Sequence, residues 1–336
     1  MKNQFFSLLL LPGFALMCAC GTPAPPVSEK PDTPELEDYP HVYLENDRVR
    51  MQVFLPDRDS GLYRATRFDW AGVIGSVRYG GHEYFGYWKD TQDPTFHEDL
   101  AGPVEGYIQP GIGYDEAAPG EGFIRIGIGV LEKPDEESYD WRATYPIMNF
   151  GERETESGPD WIRFTHRLDG PRGYAYEYVK EIRLTEDGFQ LHHRLRNTGD
   201  RPLETDQFNH NFFMIDGKPS GRGFRLSFPF PIESPDDLRD VLEIRDSVLR
   251  FKGDLAEDEN IFINLSGYGE ETESHAVTVV NEESGAGVRF HVDRPVHRLV
   301  FWACHTTPSP ENSVWISVAP GQEEAWTSTY QLFSTH

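Results

Sequence analysis

Alternation with a period of two residues, broken again and again by turn residues, limits what this chain can fold into more than any other feature. Tyr176-Glu177-Tyr178-Val179-Lys180-Glu181-Ile182-Arg183-Leu184 sets bulky residues against polar ones, as a strand with one buried face requires. Glu186-Asp187-Gly188 turns the chain, and Phe189 to Arg196 runs back. Asn197-Thr198-Gly199-Asp200 turns it once more, into a strand through Asn209 to Ile215. The stretch reads as a three-strand meander with turn chemistry at both corners. Further strands are expected over 122–131, 161–168, 276–280, 287–292, 298–304, 313–318 and 325–333, with Ser284-Gly285 as a hairpin turn. Helical periodicity is nearly absent. The one short helix expected is Ser234 to Leu238, with a serine cap and Pro235 at the first helical position. Many strands in series with few helices imply an all-β sandwich or barrel.

The N-terminal residues do not follow this pattern. Lys2 precedes an apolar stretch, Phe5 to Met17 broken at Pro12, that is too short to span a bilayer. Leu16-Met17-Cys18-Ala19-Cys20-Gly21 resembles a bacterial lipobox, which makes 1–19 a lipoprotein signal peptide and Cys20 the lipidated first residue of the mature chain. An ordinary signal peptide cut nearby is the alternative. Residues 20–39 read as a Pro-rich tether with Pro23, Pro25, Pro26, Pro31 and Pro34 and little to bury. The body, 40–336, is long enough for one large β domain. Gly21 in place of aspartate after Cys20 points, by resemblance to lipoprotein sorting, to the outer membrane of a Gram-negative cell. Contact with the membrane is then expected through the lipid anchor alone.

Charge narrows the partners. The formal net charge is -25, and removing 1–19 takes away one lysine and no acid, leaving -26. Such a chain is not expected to bind nucleic acid or an anionic membrane face, and a polyanionic glycan is disfavoured. Of three cysteines, Cys304 lies in the apolar run Leu299 to Cys304 and is expected to be a buried thiol without a partner.

The segment richest in chemistry is Asp206-Gln207-Phe208-Asn209-His210-Asn211-Phe212-Phe213. Period two puts Phe208, His210 and Phe212 on one face and Asn209, Asn211 and Phe213 on the other. An imidazole moves protons near neutral pH, amides bind hydroxyls, and aromatic rings suit the CH faces of a pyranose. A core histidine with a satisfied hydrogen bond fits the same pattern.

The run from Tyr178 to Phe213 resembles the aldose 1-epimerase (galactose mutarotase) superfamily. The matching elements are Glu181-Ile182-Arg183-Leu184, the Arg196-Asn197-Thr198-Gly199 turn, and Asn209-His210 followed by Phe213. Two further regions resemble a bacterial branch of mutarotase-like proteins: Thr66 to Gly72 with Gly81-His82-Glu83, and Gly120 to Leu131. Pro310-Glu311, Pro320-Gly321 and Tyr330 fit its closing strands, so the resemblance spans roughly 45–335. It implies a galactose-mutarotase-like antiparallel β supersandwich with a sugar cleft on one face. It also implies catalysis by a carboxylate base and a histidine acid acting on the anomeric hydroxyl and ring oxygen of a neutral mono- or oligosaccharide.

Through that resemblance His210 is the candidate acid and Glu311 the candidate base, although Glu311 could equally be a solvated acid. Arg67, Asp69, His97, Asn209 and Trp302 are candidate substrate contacts. Arg67 and Asp69 could instead form a salt bridge, His97 could be a loop histidine, and Trp70, Trp88 and Trp302 could stack on sugar rings or be core. The arginine, asparagine and histidine motif with which well-studied mutarotases hold substrate is not found at matching positions. No cofactor is implied and no ligand-spaced metal motif appears, though His210 and Glu311 could serve a metal with other acids; His192 and His193 are adjacent on a strand and must point to opposite faces. A non-catalytic glycan-binding lipoprotein, and a polysaccharide lyase or hydrolase on a related supersandwich, remain alternatives to the epimerase.

Overall fold

The structure, a computed structural model, describes residues 36–107, 110–135, 138–271 and 275–335. The signal peptide, Cys20 and most of the tether lie outside the described residues. A ten-stranded sheet runs in the order Leu242–Arg245, Val248–Phe251, Phe224–Ser227, Val277–Asn281, Ala286–Val292, Glu323–Ser334, Gly188–Asn197, Ala175–Thr185, Trp161–Asp169, Glu152–Ser157. A five-stranded sheet runs Asn260–Leu265, Arg298–Cys304, Pro308–Val318, Leu203–His210, Val104–Tyr107. Four- and three-stranded sheets from the N-terminal half complete the fold, and all these pairings are antiparallel.

The inward residues of the strand pattern make the core. Tyr176, Tyr178, Ile182 and Leu184 from the ten-stranded sheet share one apolar cluster with Ile261, Ile263, Leu299, Phe301, Val314 and Ile316 from the five-stranded sheet. The two sheets are therefore the layers of a sandwich. A second cluster, including Phe68, Trp88, Phe123, Tyr145, Phe208 and Phe212, lies on the other face of the smaller sheet beneath N-terminal loops. The smaller sheet is thus covered on both sides, and its outer face carries the cleft.

Four sequence expectations are corrected. The third strand of the meander does not pair with the second. Leu203–His210 crosses to the five-stranded sheet and pairs with Pro308–Val318 and Val104–Tyr107. Asn197 fixes this crossing: fully buried, it accepts from Gly199 N–H and donates to the carbonyls of Arg201 and Val318. The same strand ends at His210 rather than Ile215 because Phe212 takes a left-handed backbone conformation, φ 45°. The stretch 122–131 is a hairpin, Gly122–Arg125 and Gly129–Glu132, since Gly127 turns at φ 77° and any Cβ there would collide with the Asp69 carboxylate. Ser234 to Leu238 is not helical. Ser234 Oγ accepts from Asp236 N–H, Asp236 accepts from Asn264, and Asp237 accepts from Arg239 N–H, so the polar side chains form local turns instead.

A buried ion cluster lies between the sheets. Lys180 occupies an inward position of its strand, bonded to Glu105 and to the Ala71 carbonyl, with Asp69 Oδ2 at 3.7 Å. His193 Nε2 lies 3.4 Å from Glu105 Oε1, its ring stacked between Tyr178 and Trp326. His192 points outward, as adjacency on a strand demands.

Candidate functional site

The site is assembled on the end of Leu203–His210. The inward amides flanking His210 anchor this strand. Asn209 donates to Glu105 Oε1 and accepts from Gln207 and Ser328; Asn211 donates to the Pro310 carbonyl and accepts from Tyr330. With both amides fixed inward, period two forces His210 outward. There the left-handed Phe212 lays its ring on the imidazole, centroids 3.7 Å apart and 10° from parallel. Phe68 and Trp302 meet the same imidazole edge-on at 5.7 and 5.1 Å.

Strand register brings up the partner. Phe208 pairs with Ser313 across the Leu203–His210 and Pro308–Val318 strands. Two residues further in each direction stand His210 and Glu311, and His210 Nε2 lies 3.3 Å from Glu311 Oε1. The other ring nitrogen, Nδ1, is 3.0 Å from Ser309 Oγ, which also accepts from Asn211 N–H. The hydroxyl has a proton to give Nδ1 when the ring is neutral and a free lone pair to receive N–H when it is charged. It therefore serves both states.

Burial acts on the pair in opposite senses. It pushes Glu311 up to about 7, against the pull of the Arg67 and Arg298 guanidinium groups. It pushes His210 well below the usual histidine value, and Arg67 adds to that. Burial thus favours the charge-neutral pair, carboxylic acid with neutral imidazole.

The pair forms part of the wall of a cleft of about 880 Å³, with Arg67, Trp88, Trp302, Asp206, Arg298 and Glu98 among the other lining residues. Arg67 belongs to a segment held along the edge strand by the Phe68–Gly106 bridge and the Asp69 N–H to Glu105 carbonyl bond. Its guanidinium lies over Trp141 and Phe68 with Nη1 3.9 Å from Glu98 Oε2, while its buried Nε has no hydrogen-bond partner. The residue lines the cleft, where the terminal N–H groups of its guanidinium can donate to a ligand. Gly106 leaves room for the floor: a Cβ there would collide with the Phe208 ring.

The sequence-derived candidates separate. His210, Glu311, Arg67 and Trp302 face the cleft together. Asn209 and Asp69 do not: both are fully buried behind it, Asn209 bonded as above and Asp69 accepting from Ala71 N–H. Their roles are to hold the His210 strand and the Arg67 segment. His97 is buried behind the wall, its Nε2 3.4 Å from Glu98 Oε2 and its ring against Trp141. Burial pushes the Glu98 carboxyl up, but the His97 hydrogen bond and the Lys89 ammonium overcome it and bring the group down to about 2. Trp70 is core, donating to the Ala65 carbonyl, whereas Trp88 lines the cleft and stacks on Phe212. Cys304 is half-buried on the cleft margin beside Thr306, not enclosed in the core. Ser309, Glu98 and Arg298 are not singled out by the sequence, and Asp206 stands in the His210 segment without a role of its own. They become visible only once the strands are paired. Among the described residues no group of three or more His, Cys, Asp or Glu is placed to hold a metal ion.

No protein-family model matches the sequence, and no curated protein matches it. The fold, by contrast, has many counterparts among solved structures. The Slr1438 protein from Synechocystis sp. PCC 6803 superposes with a TM-score of 0.55 at 14% identity, covering 92% of this chain and 99% of that one. A galactose mutarotase-like protein from Lactobacillus casei gives 0.53 at 12% identity, covering 87% and 100%. An aldose epimerase homologue from C. elegans gives 0.54 at 11%, covering 88% and 99%. The chain has the galactose mutarotase-like fold, and its structural neighbours are aldose 1-epimerase and galactose mutarotase-like proteins.

Proposed function

We propose that the chain binds a neutral sugar and interconverts its anomers by acid–base ring opening, as an aldose 1-epimerase-like enzyme. The observation that carries this reading is the direct meeting of His210 Nε2 and Glu311 Oε1, 3.3 Å apart, in a cleft of about 880 Å³. Two oxygens on one anomeric carbon need a proton acceptor and a proton donor side by side, and this pair supplies both. In ring opening the Glu311 carboxylate takes the proton of the anomeric hydroxyl, whose oxygen becomes a carbonyl. The bond from C1 to the ring oxygen breaks, and that oxygen takes the proton of His210 Nε2. The pair passes from carboxylate and imidazolium to carboxylic acid and imidazole, holding one proton throughout. Rotation about C1–C2 and the reverse steps give the other anomer.

Burial favours the uncharged pair, which is the form that accompanies the open chain. Stabilisation aimed at that stage rather than at the closed sugar lowers the barrier. Arg67, close enough to oppose the rise of Glu311, keeps the ionised carboxylate accessible.

The pH profile follows. Turnover needs one proton on the pair. It is lost above about pH 7, as Glu311 ionises while His210 is neutral, and below an acid limb lying under the usual histidine range. Polarimetry of freshly dissolved anomers of neutral aldoses should show a bell displaced to acid pH, and His210→Asn should cost about 10²-fold or more. Turnover unchanged by His210→Asn would overturn the assignment. New reducing ends or ultraviolet-absorbing uronides released from a polymer would move the reading to a hydrolase or lyase.

We further propose that the chain is exported and lipid-anchored through Cys20, in the outer membrane of a Gram-negative cell. Full-length protein should enter the detergent phase of a two-phase split, and Cys20→Ser should not. Wild-type protein found in the aqueous phase would remove the anchor.

A further inference from the structure

The outer face of the five-stranded sheet can be followed beyond the cleft, because its register is fixed pair by pair. Asp206 stands opposite Trp315, and opposed residues of an antiparallel pair project to the same face. On either side of Trp315, Val314 and Ile316 belong to the core. The indole therefore points outward, on the face that carries Ser313 and Glu311, and it is 45% exposed. The His297 ring lies beside it, centroids 5.3 Å apart. Arg298, paired with Ser313 on the neighbouring strand, lines the cleft, as does Asp206.

We propose that this shelf of Trp315, Asp206 and Arg298 is a second sugar subsite, so that the ligand is a neutral saccharide chain with its terminal ring at His210 and Glu311. The inference rests on the sugar reading above and names its substrate class. Three observations support it. An exposed indole on a sheet face offers the flat apolar surface that a pyranose CH face covers, with an N–H at its edge. Asp206 is half-buried and feels the Arg298 and His297 charges, but neither it nor the cleft-lining Arg298 makes a side-chain ion pair within 4 Å among the described residues. A carboxylate and a guanidinium that are not locked into a close ion pair keep acceptors and donors for ring hydroxyls. Finally, Trp315 lies four residues along the strand from Glu311, about 13 Å at strand rise, a span that linked rings cover and one ring does not.

Charge selects the kind of chain. Glu257, Asp258 and Glu259 line another part of the cleft. Together with the overall charge of -25 they repel uronic acid or sulfated chains.

The test titrates wild-type protein and Trp315→Ala with matched gluco-, galacto- and manno-oligosaccharide ladders, from the monosaccharide to the hexasaccharide, by calorimetry and tryptophan fluorescence. For the ladder whose monosaccharide is bound or turned over, wild-type affinity should rise about tenfold or more from one ring to three. In Trp315→Ala the ratio of trisaccharide to monosaccharide affinity should fall close to one. The fluorescence change produced by the longer sugars, but not by the monosaccharide, should disappear. Asp206→Asn, which keeps the volume, should lower the same ratio and guards against a folding artefact. A monosaccharide that is bound or turned over without length dependence overturns the subsite and leaves the epimerase reading standing. A length dependence untouched by both variants overturns the subsite too. Failure of every ladder and every free aldose to bind or react removes both.

Discussion

Glu311→Gln should sharply lower the proposed mutarotation and make the protein more stable. Glutamine still hydrogen-bonds an anomeric hydroxyl but cannot take its proton, a loss worth about 10²–10⁴-fold. The stability gain comes from the displaced carboxyl. Burial raises it from an ordinary 4.5 to about 7, with Arg67 and Arg298 pulling the other way. Below pH 4.5 the folded and unfolded chains both hold this proton. Between there and pH 7 the folded chain keeps a proton the unfolded chain has lost, so stability falls as pH rises. Above pH 7 the full cost of a buried charge is present, about 3 kcal/mol by linkage. Glutamine carries no such charge. The variant should therefore unfold at higher denaturant than wild type at pH 8, by up to about 3 kcal/mol, with the gap closing toward pH 4. Paired urea titrations at the two pH values check this. A gap that does not change with pH would mean that Glu311 is not a buried, raised acid.

Lys180→Met should have the largest effect in the other direction. The ammonium is the buried cation between Glu105 and Asp69, and it also donates to the Ala71 carbonyl. Burial lifts Asp69 to about 6 even with Lys180 beside it. Burial also pushes Glu105 up, but Lys180 and His193 more than offset this and hold it below its ordinary value. Removing the cation leaves two enclosed acids unbalanced, typically a cost of about 3–5 kcal/mol. Adding Glu105→Gln should return part of that loss, since both members of the ion pair are then gone. A double-mutant cycle by equilibrium unfolding at pH 7 measures the coupling. A single-variant cost under about 1 kcal/mol would show that the cluster does not hold the sheets together.

Lys180 also marks where the sequence stops being readable. Ala175–Thr185 and Gly188–Asn197 could be drawn almost residue for residue, because one face of each is apolar and the other wet. Lys180 sits on the inward side of that alternation, yet a lysine among alternating residues reads as solvent-facing. Its burial depends on Glu105, which the opposing sheet supplies. Asn209 and Asp69 looked like ligand contacts for the same reason: a polar side chain announces a hydrogen bond, not which side of the strand receives it. His210 was visible as an imidazole among aromatics. Its neighbour Glu311 was suggested only through family likeness, because local spacing cannot reveal the pairing of distant strands. Ser309, Asp206 and Trp315 needed that pairing before their positions had meaning.

The bonds that build the site also set the order in which it can appear. Ser309 meets His210 across 99 residues of chain, Trp326 meets Gln207 across 119, and Lys180 meets Glu105 across 75. None can form by local zippering, and each must wait for a large loop to close. The turns and hairpins of the ten-stranded sheet can form early without any of them. The proposed sugar cleft is therefore expected to be among the last features the folding chain completes. Closure of these long loops is then expected to set how soon after synthesis the proposed site is complete.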